Sequence, residues 1–173
     1  MEEEPKDVIV LGAIRSGAKK FDKIVRVTKI KPDELNKILE KLEGRGLIEV
    51  KEKKGFFGPK VELNTTEKGS REIDERIHEL QEEWSQMVTL YKTGDKKKLK
   101  EYMDERRSFF PTMMYFGIID MMMFRMMFSR MGIGMSDFFA GDPPGMEYAN
   151  DGDIGNAGDG DFGDGGFDID IGF

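Results

Sequence analysis

The stretch from Leu39 to Gly69 constrains the fold more than any other part of the chain. It reads Leu39-Glu40-Lys41-Leu42-Glu43-Gly44-Arg45-Gly46-Leu47-Ile48-Glu49-Val50, then a lysine- and glycine-rich turn, then Val61-Glu62-Leu63-Asn64-Thr65-Thr66-Glu67-Lys68-Gly69. Glycine reaches the left-handed region without a Cβ clash, so Gly44 and Gly46 end a helix here. An apolar-alternating strand follows directly, a turn at Gly55, Gly58 and Pro59 reverses it, and a second strand returns. The pattern predicts strands over 47–53 and 60–65. Thr65 or Thr66 then supplies the side-chain oxygen that caps a further helix.

Upstream, Val8, Ile9, Leu11, Ala13 and Ile14 mark a short helix ended by Gly17, and Phe21, Ile24, Val25 and Thr28 mark a second. Ile30-Lys31-Pro32 breaks the chain, because a residue before proline avoids the helical region. Pro32 suits the first turn of a third helix, with Asp33 and Glu34 well placed at its positive end. Leu35, Ile38, Leu39 and Leu42 recur at the spacing of one helical face.

Downstream, Ile73, Ile77, Leu80, Trp84, Met87 and Tyr91 are spaced alternately by four and three residues. That is an apolar seam of about three heptads, and it implies a dimerising helix over 66–92. Thr93-Gly94-Asp95 ends it, and a charged helix is expected over 96–108. Residues 109–135 hold nine of the chain's 13 Met together with five Phe, with Asp120, Arg125 and Arg130 as the charged residues among them. We read a helix of low amphipathicity over 112–131. With no other domain to enclose this block, self-association or a protein partner is its natural cover. From 134 on, the chain is rich in Gly and Asp and lacks the apolar content to fold alone. The divisions are therefore 6–65, 66–108, 109–133 and a disordered acidic tail over 134–173.

Charge is segregated. Residues 1–135 carry 27 Lys+Arg and 24 Asp+Glu, whereas 136–173 carry ten acids and no Lys or Arg. Residues 6–64 hold 15 basic and nine acidic groups. A basic head with an acidic tail suits a nucleic-acid binder. The chain has no Cys and one His, His78, so neither thiolate chemistry nor a histidine cluster is available. No nucleophile–base pair, phosphate loop or metal-ligand spacing appears. Neither enzymatic activity nor a cofactor is expected. Asp159-Gly160-Asp161 opens like a calcium loop, but the following residues do not continue that pattern. The acidic start is no signal peptide, and the run Phe109–Ile119 is too short to span a bilayer, so a cytoplasmic protein without membrane insertion is expected.

On Leu39, Leu42, Glu43, Gly46, Leu47 and Ile48, then Leu63, Thr65 or Thr66, Lys68 and Gly69, the chain resembles winged-helix transcriptional regulators, in particular the PadR and MarR groups in their archaeal form. The resemblance covers roughly 6–92. It implies a mainly α fold with a small β-wing, an α+β winged helix-turn-helix followed by a long dimerisation helix. The further helix, the Met/Phe helix and the tail follow. It also implies a reading helix at 33–43, a wing at 51–60 and a homodimer through Ile73, Ile77, Leu80, Trp84, Met87 and Tyr91. DNA is the implied partner, with RNA or the ribosome as alternatives.

Asn36 suits adenine and Lys37 guanine, and Lys41 faces outward beside them. Lys51, Lys53, Lys54 and Lys60 on the wing, and Lys29 and Lys31 before the reading helix, suit phosphate. Phe56 and Phe57 at the wing tip suit base stacking or groove insertion. Residues 33–43 nevertheless hold four acids and two lysines, which makes the reading helix a weak phosphate binder. A second assignment is therefore a winged-helix protein-interaction or ribonucleoprotein assembly module acting through the Met/Phe block. The closing residues, Phe167-Asp168-Ile169-Asp170-Ile171-Gly172-Phe173, are similar to the tails of single-stranded-DNA-binding proteins. They imply an acidic decoy for the basic head or a ligand for a protein partner.

Overall fold

The computed structural model describes residues 4–55 and 58–141. The architecture is mainly helical with one two-stranded antiparallel sheet. Three helices, α1 (Asp7–Arg15), α2 (Phe21–Thr28) and α3 (Pro32–Gly44), precede a hairpin of β1 (Ile48–Gly55) and β2 (Gly58–Thr65). Then come α4 (Glu67–Thr93), α5 (Lys96–Glu105), a 3-10 turn at Arg107–Phe109, α6 (Phe110–Tyr115), α7 (Met121–Met131) and α8 (Met135–Phe139). Both strands run closer to the turn than the pattern predicts, and the charged helix stops earlier.

The junction read from Gly44 and Gly46 is a Schellman end. Gly46 sits at φ 72°, the Leu47 amide donates to the Leu42 carbonyl at 2.9 Å, and the Gly46 amide donates to Glu43 at 2.9 Å. Leu42 and Leu47, both fully buried, make the apolar contact that accompanies this motif. Thr66 caps α4 by accepting from the Gly69 amide at 3.1 Å, while its hydroxyl donates to the Gly46 carbonyl at 2.6 Å. The start of α4 is thereby fastened to the end of α3. Gly69 lies so close that an added Cβ would stand 2.1 Å from the Leu47 carbonyl oxygen. Gly69→Ala should therefore cost at least about 1–3 kcal/mol by forcing backbone apart, outweighing its helix-propensity gain of about 0.5–1 kcal/mol. Urea unfolding checks this, and an unchanged midpoint would contradict the close approach.

Two apolar cores share α4. The first joins α1, α2, α3 and the hairpin through Leu11, Ile14, Ile24, Leu35, Leu42 and Leu47, and it takes Ile73 from α4. The second gathers Leu80 and Met87 of α4 with Leu99, Met103, Phe110, Met113, Phe124, Met127, Phe128 and Phe138. Its aromatic rings are stacked edge to face or tilted. Phe110 and Phe124 lie 5.4 Å apart, Phe124 and Phe128 4.9 Å, and Phe128 and Phe138 5.2 Å.

Much of the seam expected to dimerise is covered within its own chain. Ile73, Leu80 and Met87 are fully buried within the chain. Ile77, Trp84 and Tyr91 are half-buried, Ile77 against the first core and the other two against the second. The Met/Phe block covers the seam of its own chain, so neither needs a second copy for burial. A heptad pattern reports an apolar stripe; it does not report whose side chains cover it. The second core draws on both 66–108 and 109–133.

The helix expected over 112–131 is two helices. Gly117 at φ 67° ends the first. Asp120 begins the second, its carboxylate accepting from the amides of Met122 at 2.9 Å and Met123 at 3.1 Å. The break lets α7 turn back onto α5. The tail boundary also moves. Residues 134–141 are ordered around α8, whose Phe138 is 4% exposed within the second core. The remainder of the expected tail lies outside the described residues.

Polar clamps close the second core. Arg130 donates to the Tyr91 carbonyl at 2.9 Å and lies over its ring, tying α7 to the end of α4. Glu83 of α4 accepts from the Tyr102 hydroxyl and from Arg106. At the boundary between the cores, Arg76 binds Glu4 at 2.6 Å and lies over the Phe109 ring. Burial pushes the Tyr102 phenol up to about 12, with Glu83 adding to the effect, and burial alone does the same to Tyr115. The folded chain holds these protons more tightly than the unfolded chain, so stability falls as pH rises from the ordinary tyrosine range through about 12. Ultraviolet titration should show two of the four tyrosines ionising late. Tyr102→Phe should remove one of the two late steps.

Candidate nucleic-acid interface

The site is built on α3, the hairpin and the segment around α2. Burial of Leu35, Ile38 and Leu42 turns Asp33, Asn36, Lys37, Glu40, Lys41 and Glu43 outward. Lys41 faces outward as expected but is ion-paired within the fold. Its ammonium lies 2.7 Å from the carboxylate of the largely buried Asp7 and fastens α3 to α1. Asn36 lines a groove toward the hairpin together with Glu40 and Glu43. Lys37 is exposed and makes no ion pair among the described residues.

The hairpin has two unlike faces. Strand alternation and the register Val50↔Leu63 and Glu52↔Val61 put Ile48, Val50, Leu63 and Val61 on the face toward α3. Glu49, Lys51, Lys60, Glu62 and Asn64 occupy the other. Lys51 lies 3.5 Å from Glu49, so part of its charge is answered locally. Lys53 and Lys60 are Cα partners, and Lys54 pairs with Pro59 beside the turn. The distal hairpin thus carries Lys53, Lys54 and Lys60 against one acid, Glu52. Phe56 and Phe57 lie outside the described residues.

Basic groups continue along α2. The Lys19 carbonyl accepts from the Leu63 amide at 2.9 Å, which fixes this segment beside β2. Lys29 occupies the left-handed cap of α2 at φ 57°, and Lys31 stands at the N-cap of α3. Lys19, Lys20, Lys23, Arg26, Lys31, Lys54 and Lys60 have no ion pair among the described residues. On the α1 and α4 side three arginines are paired, while Arg71 makes no ion pair among the described residues. Arg15 binds Asp74 at 2.6 Å, Arg45 binds Glu72 at 3.1 Å, and Arg76 binds Glu4. Lys19, Lys20, Lys23, Arg26, Lys31, Lys54 and Lys60 form one cluster of positive charge around α2, the start of α3 and the hairpin, while Arg71, Lys96, Lys97 and Arg125 stand singly or in pairs elsewhere without an ion pair among the described residues.

The groove itself was not foreseen. It has a volume of about 270 Å³, a floor of Val50, Val61 and Leu63, and walls that include Phe21, Leu39 and Asn36. Val50 is 42% exposed and Val61 52%. Their alternation in the strands reads as core-facing, but α3 ends at Gly44 and does not reach over them. The one available signal was that both strands outlast the helix they pack on.

No helix among the described residues is long and apolar enough to cross a membrane. No family model matches the chain, and no curated protein or solved structure matches it.

Proposed function

We propose that the chain is a winged-helix DNA-binding protein, a transcriptional regulator that grips the phosphate backbone with its distal hairpin and α2 flank. The supporting observation is a cluster of cations: Lys19, Lys20, Lys23, Arg26, Lys31, Lys37, Lys54 and Lys60 make no ion pair among the described residues and lie around α2, on α3 and on the hairpin, whereas Arg71, Lys96, Lys97 and Arg125, also without an ion pair, are scattered over other helices. Unpaired lysines beside an exposed hairpin lower the potential felt by an approaching polyanion and release its counterions on contact. Asn36 and Lys37 remain the side chains of α3 suited to base edges. Glu40 and Glu43 flank them and weaken any deep seating of α3 in the groove. Affinity then rests on the hairpin and flank, and sequence preference on α3.

Fluorescence anisotropy with a labelled DNA duplex, a single strand and an RNA hairpin of equal length tests this proposal. The duplex should bind most tightly, with affinity falling steeply as salt rises. Absence of binding to all three at low salt would exclude the proposal.

A second reading is favoured by one observation. Met122 is 75% exposed and Met126 43% exposed on α7, flanking the exposed Arg125. Flexible Met side chains suit a protein surface. In this reading the module assembles with a protein or ribonucleoprotein through α7. Met122→Glu with Met126→Glu should then abolish capture of that partner and leave duplex binding unchanged.

A further inference from the structure

The groove between α3 and the hairpin lies beside an open sheet edge. The sheet has two strands, and β2 has its far side partly covered by the Lys19 carbonyl. Among the described residues no backbone group outside the hairpin bonds to residues 48–55. The outer edge of β1 therefore presents unused amides and carbonyls, a template for one more strand. Any strand added there would meet two different environments. Toward α3 it would lie beside Ile48 and Val50 at the apolar groove, with Glu52 and Lys54 following on the same face near the turn. On the opposite face it would lie beside Glu49, Lys51 and the Lys53 position, with Asn64, Glu62 and Lys60 beyond them.

The chain carries one segment with that same two-faced pattern. Phe167-Asp168-Ile169-Asp170-Ile171-Gly172-Phe173 alternates apolar and acidic residues with the strand period of two. Residues 142–173, outside the described part, hold nine acids and no Lys or Arg. Laid along β1, Phe167, Ile169, Ile171 and Phe173 fall on one face and Asp168 and Asp170 on the other. The apolar set matches the groove. The acidic set then lies toward Lys51, the Lys53 position and Lys60, with Glu49 and Glu62 on the same face, and avoids Glu40 and Glu43 on the groove wall. A one-residue slip would put aspartates into the groove, so the alternation also selects the register.

We propose that Phe167–Phe173 of the same chain docks on the outer edge of β1 as a third strand, with its apolar side chains in the α3–hairpin groove. The intervening residues 142–166 can span up to about 80–90 Å when extended. A folded body of this size has a radius of gyration of about 14 Å, so the segment reaches the edge from any exit point. Tethering within one chain gives a local concentration on the order of millimolar. A contact with an intrinsic dissociation constant near a tenth of that value is then about nine-tenths occupied. The docked strand covers Lys51 and approaches Lys53 and Lys60, so it also competes with any polyanion that uses the hairpin.

Amide hydrogen exchange on the full chain without nucleic acid tests the docking. This makes the result independent of the DNA-binding proposal, and either can fail alone. The wild type is compared with the double substitution Ile169→Asp and Ile171→Asp. The β1 amides that do not bond to β2 should exchange about tenfold faster in the variant, as expected for nine-tenths occupancy. The Leu63 amide, bonded to Lys19, should be unchanged and shows that the hairpin remains folded. Equal exchange of β1 in both proteins would overturn the proposal. So would protection that grows with protein concentration, because the strand would then come from a second copy.

Discussion

Leu80→Asp is expected to unfold the second core rather than to separate two chains. Leu80 is fully buried among Met/Phe side chains of its own chain. Truncating a buried leucine costs about 2–5 kcal/mol. An unpaired carboxylate in the same place costs several kcal/mol more, whether it stays charged or takes up a proton. Together these approach the whole stability of a typical domain, about 5–15 kcal/mol. Trp84 reports the event directly, since its ring stands 6.2 Å from Phe124. Near-ultraviolet dichroism and Trp84 fluorescence should both collapse toward the unfolded signal. Retention of the wild-type melting temperature, with the mass by light scattering falling from two chains to one, would instead make the seam an interface.

The elements up to Gly94 were legible because their signals are local. Pro32, Gly46 and Thr66 each act on hydrogen bonds within a few residues, and each does in the structure what its chemistry requires. The fate of the seam was not legible. Ile73, Leu80 and Met87 would look the same in sequence whether a partner chain or the chain's own α6 and α7 covered them. Deciding this needed Gly117 and Asp120 to be read as a helix end and a helix cap within an otherwise apolar run. Both signals were present but were outweighed by the composition around them. Of the candidate site, the lysines of the hairpin and flank were readable as an exposed set, since no apolar period claims them. The loss of Lys41 to Asp7 was not, because those two residues meet only when α1 crosses α3. The groove of Val50 and Val61 was hidden for a related reason: alternation tells which face a strand side chain takes, not whether a helix extends far enough to cover it.

The central claim is that lysines of the distal hairpin hold the phosphate backbone. Replacing Lys53, Lys54 and Lys60 together with alanine tests it most directly, because all three positions belong to the distal hairpin and none is a member of either core cluster. Each phosphate contact contributes about 0.9 to the slope of log affinity against log salt on duplex DNA. The triple variant should flatten that slope by roughly 2–3 and weaken binding to unrelated duplexes alike. Asn36→Ala should instead leave the slope in place and reduce discrimination between sequences by about 1–3 kcal/mol. The decisive measurement is duplex binding by anisotropy, from low to physiological salt, for the wild type and the triple-lysine variant. A flattened salt dependence with reduced affinity is the result this account predicts. Superimposable titrations for the two proteins would contradict it.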